Sequence, residues 1–207
     1  MIDSDEVDQL RQWINRWIKI GNRAHGYAGV FNYENADDKV TVELNTAREW
    51  CRSIVAEFGL TVGDPERNHD DPPDCYVSVG GQRLGVELVQ LIESEHKRRA
   101  AKNETPHAGQ LFHDMQWSKP RLASKLNEVI QKKGNKYEKN GKSIDVLLIH
   151  CAEPWLSSGQ VRDWLADIQM GPHPNIASTF LLLDYEPGRN VEYWPVFRLY
   201  GDLGGTI

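Results

Sequence analysis

The 207-residue sequence predicts an α/β (α+β) fold in which helices pack on a mixed β-sheet. Amphipathic stretches with helical spacing alternate along the chain with short apolar runs that have the length of strands. The pair Gly80-Gly81 joins two of these runs in the manner of a β-hairpin. Residues 144–149 form a continuous apolar run, which is typical of a strand covered on both faces. The predicted order is α, short β, β-hairpin, α, β, α, β, β, and this order indicates a mixed sheet.

Two helices are predicted in the first part of the chain. Residues 4–20 carry apolar side chains at helical spacing, and residues 40–58 do the same until Gly59, a natural stop. Residues 22–39 between them are rich in Gly, Asn and Asp, which predicts a loop. A short strand at residues 60–62 is expected to follow.

The predicted hairpin follows a turn-rich loop at residues 64–73. Its strands are residues 75–79 and residues 83–92. The polar stretch 93–118 then predicts a long excursion, and excursions of that length are usually functional or disordered.

The last elements begin with a helix that has proline in its first turn and Gly134 inside it, where it is expected to weaken or end. In chain order they are a helix at 119–139, a strand at 144–149, a helix at 158–170, and strands at 177–183 and 191–199. We expect one domain over residues 1–207, with a core at 40–151, an N-terminal helix and loop at 1–39, and a C-terminal helix and strands at 152–207.

Composition favours a globular protein of the cytoplasm. Hydrophobic residues make up 40% and charged residues 26% of the chain. No apolar run approaches the roughly 20 residues of a membrane span. The N-terminal residues are acidic and polar, unlike a secretory signal. Three widely spaced cysteines are expected to be reduced thiols rather than a disulfide framework.

The net charge of −6 is unevenly distributed. Residues 94–142 carry 12 Lys or Arg against 5 Asp or Glu, so this segment is basic within an acidic chain. Such a segment is a candidate surface for a large anion, and nucleic acid is the first expectation. A solvated, lysine-rich helix and loop is the alternative.

Two acidic residues raise the question of function. Asp74 follows two prolines at the start of the hairpin, and Glu87 interrupts the apolar run that includes Val86 and Leu88. A carboxylate in an apolar strand is costly to desolvate unless something compensates its charge. Both acids lie six or seven residues from the turn, so the hairpin brings them close together. A hard cation such as Mg²⁺ would relieve their repulsion.

The stretch Pro73-Asp74, a hairpin, then Gly-Val-Glu87-Leu-Val resembles the signature of the PD-(D/E)XK nuclease superfamily. The order helix, strand, hairpin, helix, strand over residues 40–151 agrees with that resemblance, as do the helix that begins Trp-Ser-Lys-Pro-Arg and the segment DVLLIHCAEPWL. The resemblance implies a restriction-endonuclease-like core of order αβββαβ with added terminal elements. It also implies phosphodiester hydrolysis, in a restriction or defence setting, by a protein that often pairs into a homodimer.

The resemblance further implies the roles of individual residues. Asp74, Glu87 and the backbone carbonyl of Val89 would bind one or two Mg²⁺ (or Mn²⁺) ions, and Glu43 of the preceding helix would assist. The superfamily usually has a lysine two residues after the glutamate, where this sequence has Val89.

Three residues are candidates for the missing lysine. Lys133 is best placed, because it lies on the buried side of the predicted helix 119–139, and Lys136 lies one turn further on. Gln90 is the third candidate, although strand alternation turns it away from the face of Glu87 unless a bulge intervenes.

Each residue also has a plain structural interpretation. Asp74 could cap a turn after the prolines, Glu87 could face solvent, and Lys133 and Lys136 could be solvated helix residues. The histidines lack zinc-site spacing, and no nucleophile elbow is present. The alternative function is a catalytically inactive protein of this fold that binds nucleic acid or a protein. Val89, which replaces the usual lysine, favours this alternative, as do Trp117 and Trp155, which are expected to be exposed.

Overall fold

The computed structural model describes residues 4–23, 35–70, 72–91, 117–152 and 156–203. In these ranges four helices flank one six-stranded mixed sheet, so the fold is of the α+β kind. Most of the predicted excursion at 93–118 and residues 24–34 of the predicted loop lie outside the described ranges.

The sheet follows the order of the sequence from one edge to the other. The strands are β1 (Glu66–Arg67), β2 (Cys75–Val79), β3 (Gln82–Gln90), β4 (Ile144–Cys151), β5 (Ile176–Leu183) and β6 (Val196–Tyr200). β3, β4 and β5 run parallel to one another, whereas the β1–β2, β2–β3 and β5–β6 pairs are antiparallel.

The described helices are α1 (Ser4–Arg23), α2 (Ala36–Phe58), α3 (Lys119–Lys139) and α4 (Ser158–Leu165). α2 begins four residues earlier than predicted because the side chain of Asn35 caps it, accepting a hydrogen bond from the backbone N–H of Asp38 at 2.8 Å. It ends at Gly59, whose φ of 67° is left-handed.

The sheet separates two apolar cores. α2 packs on one face around Trp50 and Phe180, and α3 packs on the other around Leu126 and Leu147. Within β4, every residue from Val146 to Cys151 is buried. The continuous apolar run in this strand is therefore explained by cover on both faces, as predicted.

Three predicted elements differ in extent. The predicted strand at 60–62 forms only a single bridge, Val62 to Val79, and β1 instead arises in the predicted loop. α4 ends at Leu165, although Ile168 and Met170 still pack on the core from the irregular segment that follows. β6 begins at Val196 because Pro195 before it has no N–H to donate.

α3 continues through Gly134 instead of weakening there. The ring of His173 lies directly over this glycine, and an added Cβ would come within 2.3 Å of His173 Nδ1. Glycine at this position therefore serves a close approach between α3 and the segment that leads into β5.

Two further expectations concern the whole chain. Among the described residues, no helix combines the length and apolar composition that a bilayer crossing requires. The three cysteines all lie in the described ranges, where they are buried and form no disulfide.

We expect Gly134→Ala to lower the free energy of unfolding by about 1–3 kcal/mol, although alanine is the better helix former, because the new methyl group overlaps the His173 ring. Gly159→Ala is the matched control: Gly159 lies in α4 with nothing within 4 Å of an added Cβ, and it should be neutral or slightly stabilising. Urea unfolding of both variants measures the difference. A Gly134→Ala protein as stable as the wild type would contradict the close packing.

Candidate functional site

Asp74 and Glu87 meet at the end of the β2–β3 hairpin farthest from its turn. Cys75 pairs with Val86, so Asp74, one residue before β2, stands beside Glu87. Asp74 Oδ2 accepts a hydrogen bond from the backbone N–H of Leu88 at 2.8 Å. The hairpin therefore brings the two acids together, as its sequence indicates.

Glu87 is buried and faces α3. Its Oε1 is paired with Nζ of Lys133, and its Oε2 accepts a hydrogen bond from the hydroxyl of Tyr137 at 2.5 Å. Lys133 and Tyr137 are four residues apart, so they lie on the same side of α3. These two donors supply the compensation that an acid in an apolar strand requires.

Asp74 is held from the other layer of the structure. Lys39 of α2 lies 3.3 Å from Asp74 Oδ1 and 3.3 Å from Glu43 Oε1, so one ammonium group bridges two carboxylates. Burial of the side chain, and next the negative charge of Glu87, raise the pKa of Asp74 above its ordinary value. The N–H of Leu88 and the two lysines oppose that rise in the pKa.

The segment before Asp74 is fixed on β3. The carbonyl of Pro73 accepts a hydrogen bond from Asn68 Nδ2 at 2.7 Å. The Pro73 ring covers Gly85 so closely that a Cβ there would lie 2.9 Å from Pro73 Cγ. The N–H of Gly85 donates to Asp145 Oδ2 at 2.8 Å. Glycine at position 85 thus allows the proline to sit on the strand and to direct Asp74 toward Glu87.

Two of the three lysine substitutes do not reach the acids. Lys136 is exposed and lies off the side of α3 that carries Lys133 and Tyr137. β3 pairs with β4 in unbroken register from Val86 to Gln90, so no bulge turns Gln90 to the face of Glu87. The positions of Lys136 and Gln90 therefore do not favour a role beside Glu87, whereas Lys133 contacts Glu87.

The expected backbone ligand also changes. The N–H of Leu88 points to Asp74, and in an extended strand the N–H and C=O of one residue point to the same side. The carbonyl of Leu88 is therefore on the side of Asp74. The backbone groups of Val89 point the opposite way, toward β4, in line with Leu91, whose N–H donates to the carbonyl of His150. The carbonyl directed toward Asp74 is therefore that of Leu88, not that of Val89 as expected from the sequence.

The donor set can be compared with what Mg²⁺ prefers. In the part of the chain that the structure describes, no three His, Cys, Asp or Glu side chains are gathered so that they could hold a metal ion. Glu43, named above as an assisting ligand, shares the ammonium group of Lys39 with Asp74. Two adjacent carboxylates and one carbonyl remain. Mg²⁺ takes oxygen donors of this kind, commonly one or two carboxylates, and completes its shell with water and phosphate. Each oxygen of Asp74 and Glu87 here has a protein donor, which such an ion would have to replace.

The basic segment is only partly described, because residues 94–116 lie outside the described ranges. Residues 119–142, which include α3, carry eight Lys or Arg and two Asp or Glu. Lys132, Lys136 and Lys139 are exposed along the same helix that sends Lys133 to Glu87. Trp117 is half-buried against the core beneath Arg121, and Trp155 lies outside the described ranges.

Two of the three cysteines, Cys51 and Cys75, are poor nucleophiles. Burial, followed by the negative charge of Asp64, raises the pKa of the Cys51 thiol to about 12. Burial and then Asp74 raise the pKa of Cys75 as well. The thiolate is the reactive form, so neither environment favours thiol chemistry.

The sequence analysis missed Tyr137 and Lys39 as members of the site. The sequence does hold a signal for Tyr137, because it falls on the apolar side of the predicted helix 119–139 and a buried tyrosine hydroxyl usually finds a polar partner. Lys39 was placed in a loop, and its position follows from the start of α2 at Ala36.

We expect Tyr137→Phe to lower the free energy of unfolding by about 1–3 kcal/mol, since it removes the hydrogen-bond donor of a buried carboxylate oxygen. Tyr193→Phe is the control, because that hydroxyl donates to the exposed Glu57 at 3.0 Å, and its loss should cost less than about 0.5 kcal/mol. Denaturant titration compares the two. Equal effects would show that the Tyr137 contact does not compensate Glu87.

The raised pKa of Asp74 predicts a pH dependence of stability. The folded state binds the Asp74 proton more tightly than the unfolded state, so this group adds stability as the pH falls through its folded pKa toward the ordinary value of 3.8. Asp74→Asn keeps an acceptor for Leu88 and removes the charge. It should be more stable than the wild type at neutral pH, and this advantage should fade on acidification.

Unfolding curves from about pH 8 to about pH 4 test this expectation. Exposed Asp163→Asn is the control and should show no such pH-dependent advantage. An Asp74→Asn protein that is less stable than the wild type at neutral pH would contradict it.

Comparisons of the chain with protein-family models, with curated proteins and with solved structures find no match.

Proposed function

We propose that this chain is a metal-dependent nuclease that hydrolyses phosphodiester bonds, with DNA favoured over RNA as the substrate. One observation carries the proposal: Nζ of Lys133 contacts Glu87 Oε1, and Asp74 lies beside Glu87. The PD-(D/E)XK pattern requires two acids and one lysine in one place. In this chain the lysine comes from α3, because Val89 stands at the usual position.

The arrangement of the elements supports the same proposal. Residues 36–151 run α2, β1, β2, β3, α3, β4, which is the order expected of a restriction-endonuclease-like core. α1 and the segment from α4 to β6 are then additions at the two ends. The hairpin that carries both acids lies between the helical layers that supply Lys39 and Lys133.

A divalent cation would be held by Asp74, Glu87 and the carbonyl of Leu88. Such an ion polarises a scissile phosphate and lowers the pKa of an attacking water. Its charge would also offset the repulsion by which Glu87 raises the pKa of Asp74. Mg²⁺ and Mn²⁺ both suit oxygen donors of this kind.

We assign to Lys133 the contacts with the attacking water and the scissile phosphate. Its ammonium group lies at Glu87, and its side chain stays partly exposed, so it can reach a substrate oxygen as well as the carboxylate. A lysine in this position orients an attacking water and stabilises negative charge that develops on the phosphate. Tyr137 acts as a positioning residue, because its hydroxyl holds the second oxygen of Glu87.

The exposed lysines of α3 supply the electrostatic attraction. Lys132, Lys136 and Lys139 stand on the helix that carries Lys133, so a phosphate backbone bound along α3 would lie next to the acids. Binding through such contacts weakens as salt is added, because it releases counterions from the nucleic acid.

A second candidate function is a silent protein of the same fold that binds nucleic acid without cleaving it. The observation in its favour is that Glu87 and Asp74 already have protein partners on both oxygens, two of them ammonium groups. The two ammonium groups offset the charge of the two carboxylates without a metal ion, so the cluster could be purely structural. Cleavage and binding must therefore be measured separately.

The test is cleavage of a supercoiled plasmid and of single-stranded oligonucleotides with Mg²⁺ or Mn²⁺. The wild type should cut, and Asp74→Asn, Glu87→Gln and Lys133→Met should each lower the rate by about 100-fold or more. Arg162→Met is the control, since it removes an exposed cation of α4 that lies outside the basic segment 94–142, and it should stay within a few-fold of the wild type.

A salt-dependent gel-shift assay on the same proteins separates the two candidates. Binding without cleavage by the wild type, under every metal condition, would establish the silent function. Cleavage that survives in Asp74→Asn or Glu87→Gln would overturn the proposed site, because it would locate the chemistry elsewhere.

A further inference from the structure

Lys39 occupies a place in the site to which the proposed function gives no role. Its ammonium group lies 3.3 Å from Asp74 Oδ1 and 3.3 Å from Glu43 Oε1. The side chains of these two acids are 6% and 12% exposed, whereas that of Lys39 is 39% exposed. A cation thus lies between two nearly buried carboxylates and still has contact with solvent.

The two oxygens of Asp74 have partners of different kinds. Oδ2 accepts the backbone N–H of Leu88, which is fixed within β3. The partner of Oδ1 is the end of the flexible four-carbon side chain of Lys39. A metal ion that binds Asp74 can therefore take the place of Lys39 at Oδ1 while the hydrogen bond from the backbone is kept.

The charges of the cluster favour such an exchange. Asp74, Glu87 and Glu43 carry three negative charges when ionised, and Lys39 and Lys133 carry two positive charges. Once the ammonium group of Lys39 has moved into solvent, three negative charges face one positive charge. A divalent ion supplies the difference of two, whereas the ammonium group supplies only one.

We propose that Lys39 is a tethered competitor of the metal ion: its ammonium group occupies Asp74 Oδ1 in the free protein, and a divalent ion binds Asp74 when the lysine swings out. This inference rests on the proposed function for its metal ion. A group tethered by a short flexible chain competes at an effective concentration on the order of millimolar. The free wild-type chain should therefore bind divalent ions more weakly than its carboxylates would without Lys39.

Binding of Mn²⁺ to the full chain, without nucleic acid, tests the proposal by calorimetry or by the paramagnetic resonance signal of free Mn²⁺. Lys39→Met removes the competing charge and keeps the length of the side chain. It should bind Mn²⁺ at least about ten times more tightly than the wild type. Lys39→Arg keeps a cation at this position and should bind Mn²⁺ no more tightly than the wild type.

A matched control separates this effect from a general change of charge. Arg52→Met removes an exposed cation of the same helix, which is paired with Glu49. It lies about 20 Å along α2 from Lys39, beyond the reach of screened charge interactions, so its Mn²⁺ affinity should stay within about two-fold of the wild type. Adding Asp74→Asn to Lys39→Met should abolish the gain in affinity, because Asp74 is the ligand for which lysine and metal compete.

A Lys39→Met protein that binds Mn²⁺ no more tightly than the wild type, or does not bind it, overturns the proposal and leaves Lys39 a structural partner of the acids. If this variant is too unstable for titration, thermal unfolding replaces the binding assay. Mn²⁺ should then raise the unfolding midpoint of Lys39→Met more than that of the wild type, and equal shifts overturn the proposal.

Plasmid cleavage by the wild type distinguishes this failure from a failure of the proposed function. Cleavage by the wild type, together with no gain of Mn²⁺ affinity in Lys39→Met, disproves the role of Lys39 alone. A gain of affinity in Lys39→Met, together with no cleavage by the wild type, disproves the nuclease and supports the competition between lysine and metal.

Discussion

The ion pair between Glu87 and Lys133 is the interaction on which the site and much of the packing around it depend. Removing the partner of a buried carboxylate lowers the free energy of unfolding by about 3–5 kcal/mol. The position of α3 along β3 is therefore fixed by the requirement that Lys133 and Tyr137 both contact Glu87. Gly134 lies between these two residues in the sequence, and its bare backbone admits the ring of His173. One register of helix against strand therefore satisfies the charge and the packing together.

The site assembles four side chains that are distant in sequence. Lys39 comes from α2, Asp74 and Glu87 from the hairpin, and Lys133 from α3. Two ammonium groups lie beside these two acids at the meeting point of both helical layers, and Lys39 is shared with Glu43 as well. Burial and the charge of Glu87 raise the pKa of Asp74, so the ionised side chain lowers the stability of the folded protein at neutral pH. Sites with perturbed pKa values commonly reduce the stability of the fold in this way.

Parts of this structure could be predicted from local sequence. α3 runs from Lys119 to Lys139, as its proline and its apolar spacing predict, and the hairpin turns at Gly80-Gly81. The choice of Lys133 over Lys136 also followed from helical spacing, because only the former lies toward the buried side. These features depend on periodicity and on residues with restricted backbone conformations.

Other parts depend on contacts that no local pattern encodes. The start of α2, and with it the position of Lys39, depends on the cap at Asn35 within a stretch that reads as a loop. β1 consists of two exposed residues with no apolar signal. The direction of the Val89 carbonyl could not be predicted either, because it depends on which strand lies on each side of β3. Gln90 behaved as alternation indicates, since β3 has no bulge.

The sequential order of the sheet has a consequence for biosynthesis. Each strand pairs with its neighbours along the chain, so every new strand meets a partner that has already been made. The nascent polypeptide can extend its sheet one strand at a time, in the direction of translation, and no early strand has to wait for a distant one. On the ribosome, the acids of the hairpin therefore emerge well before the lysine that neutralises Glu87.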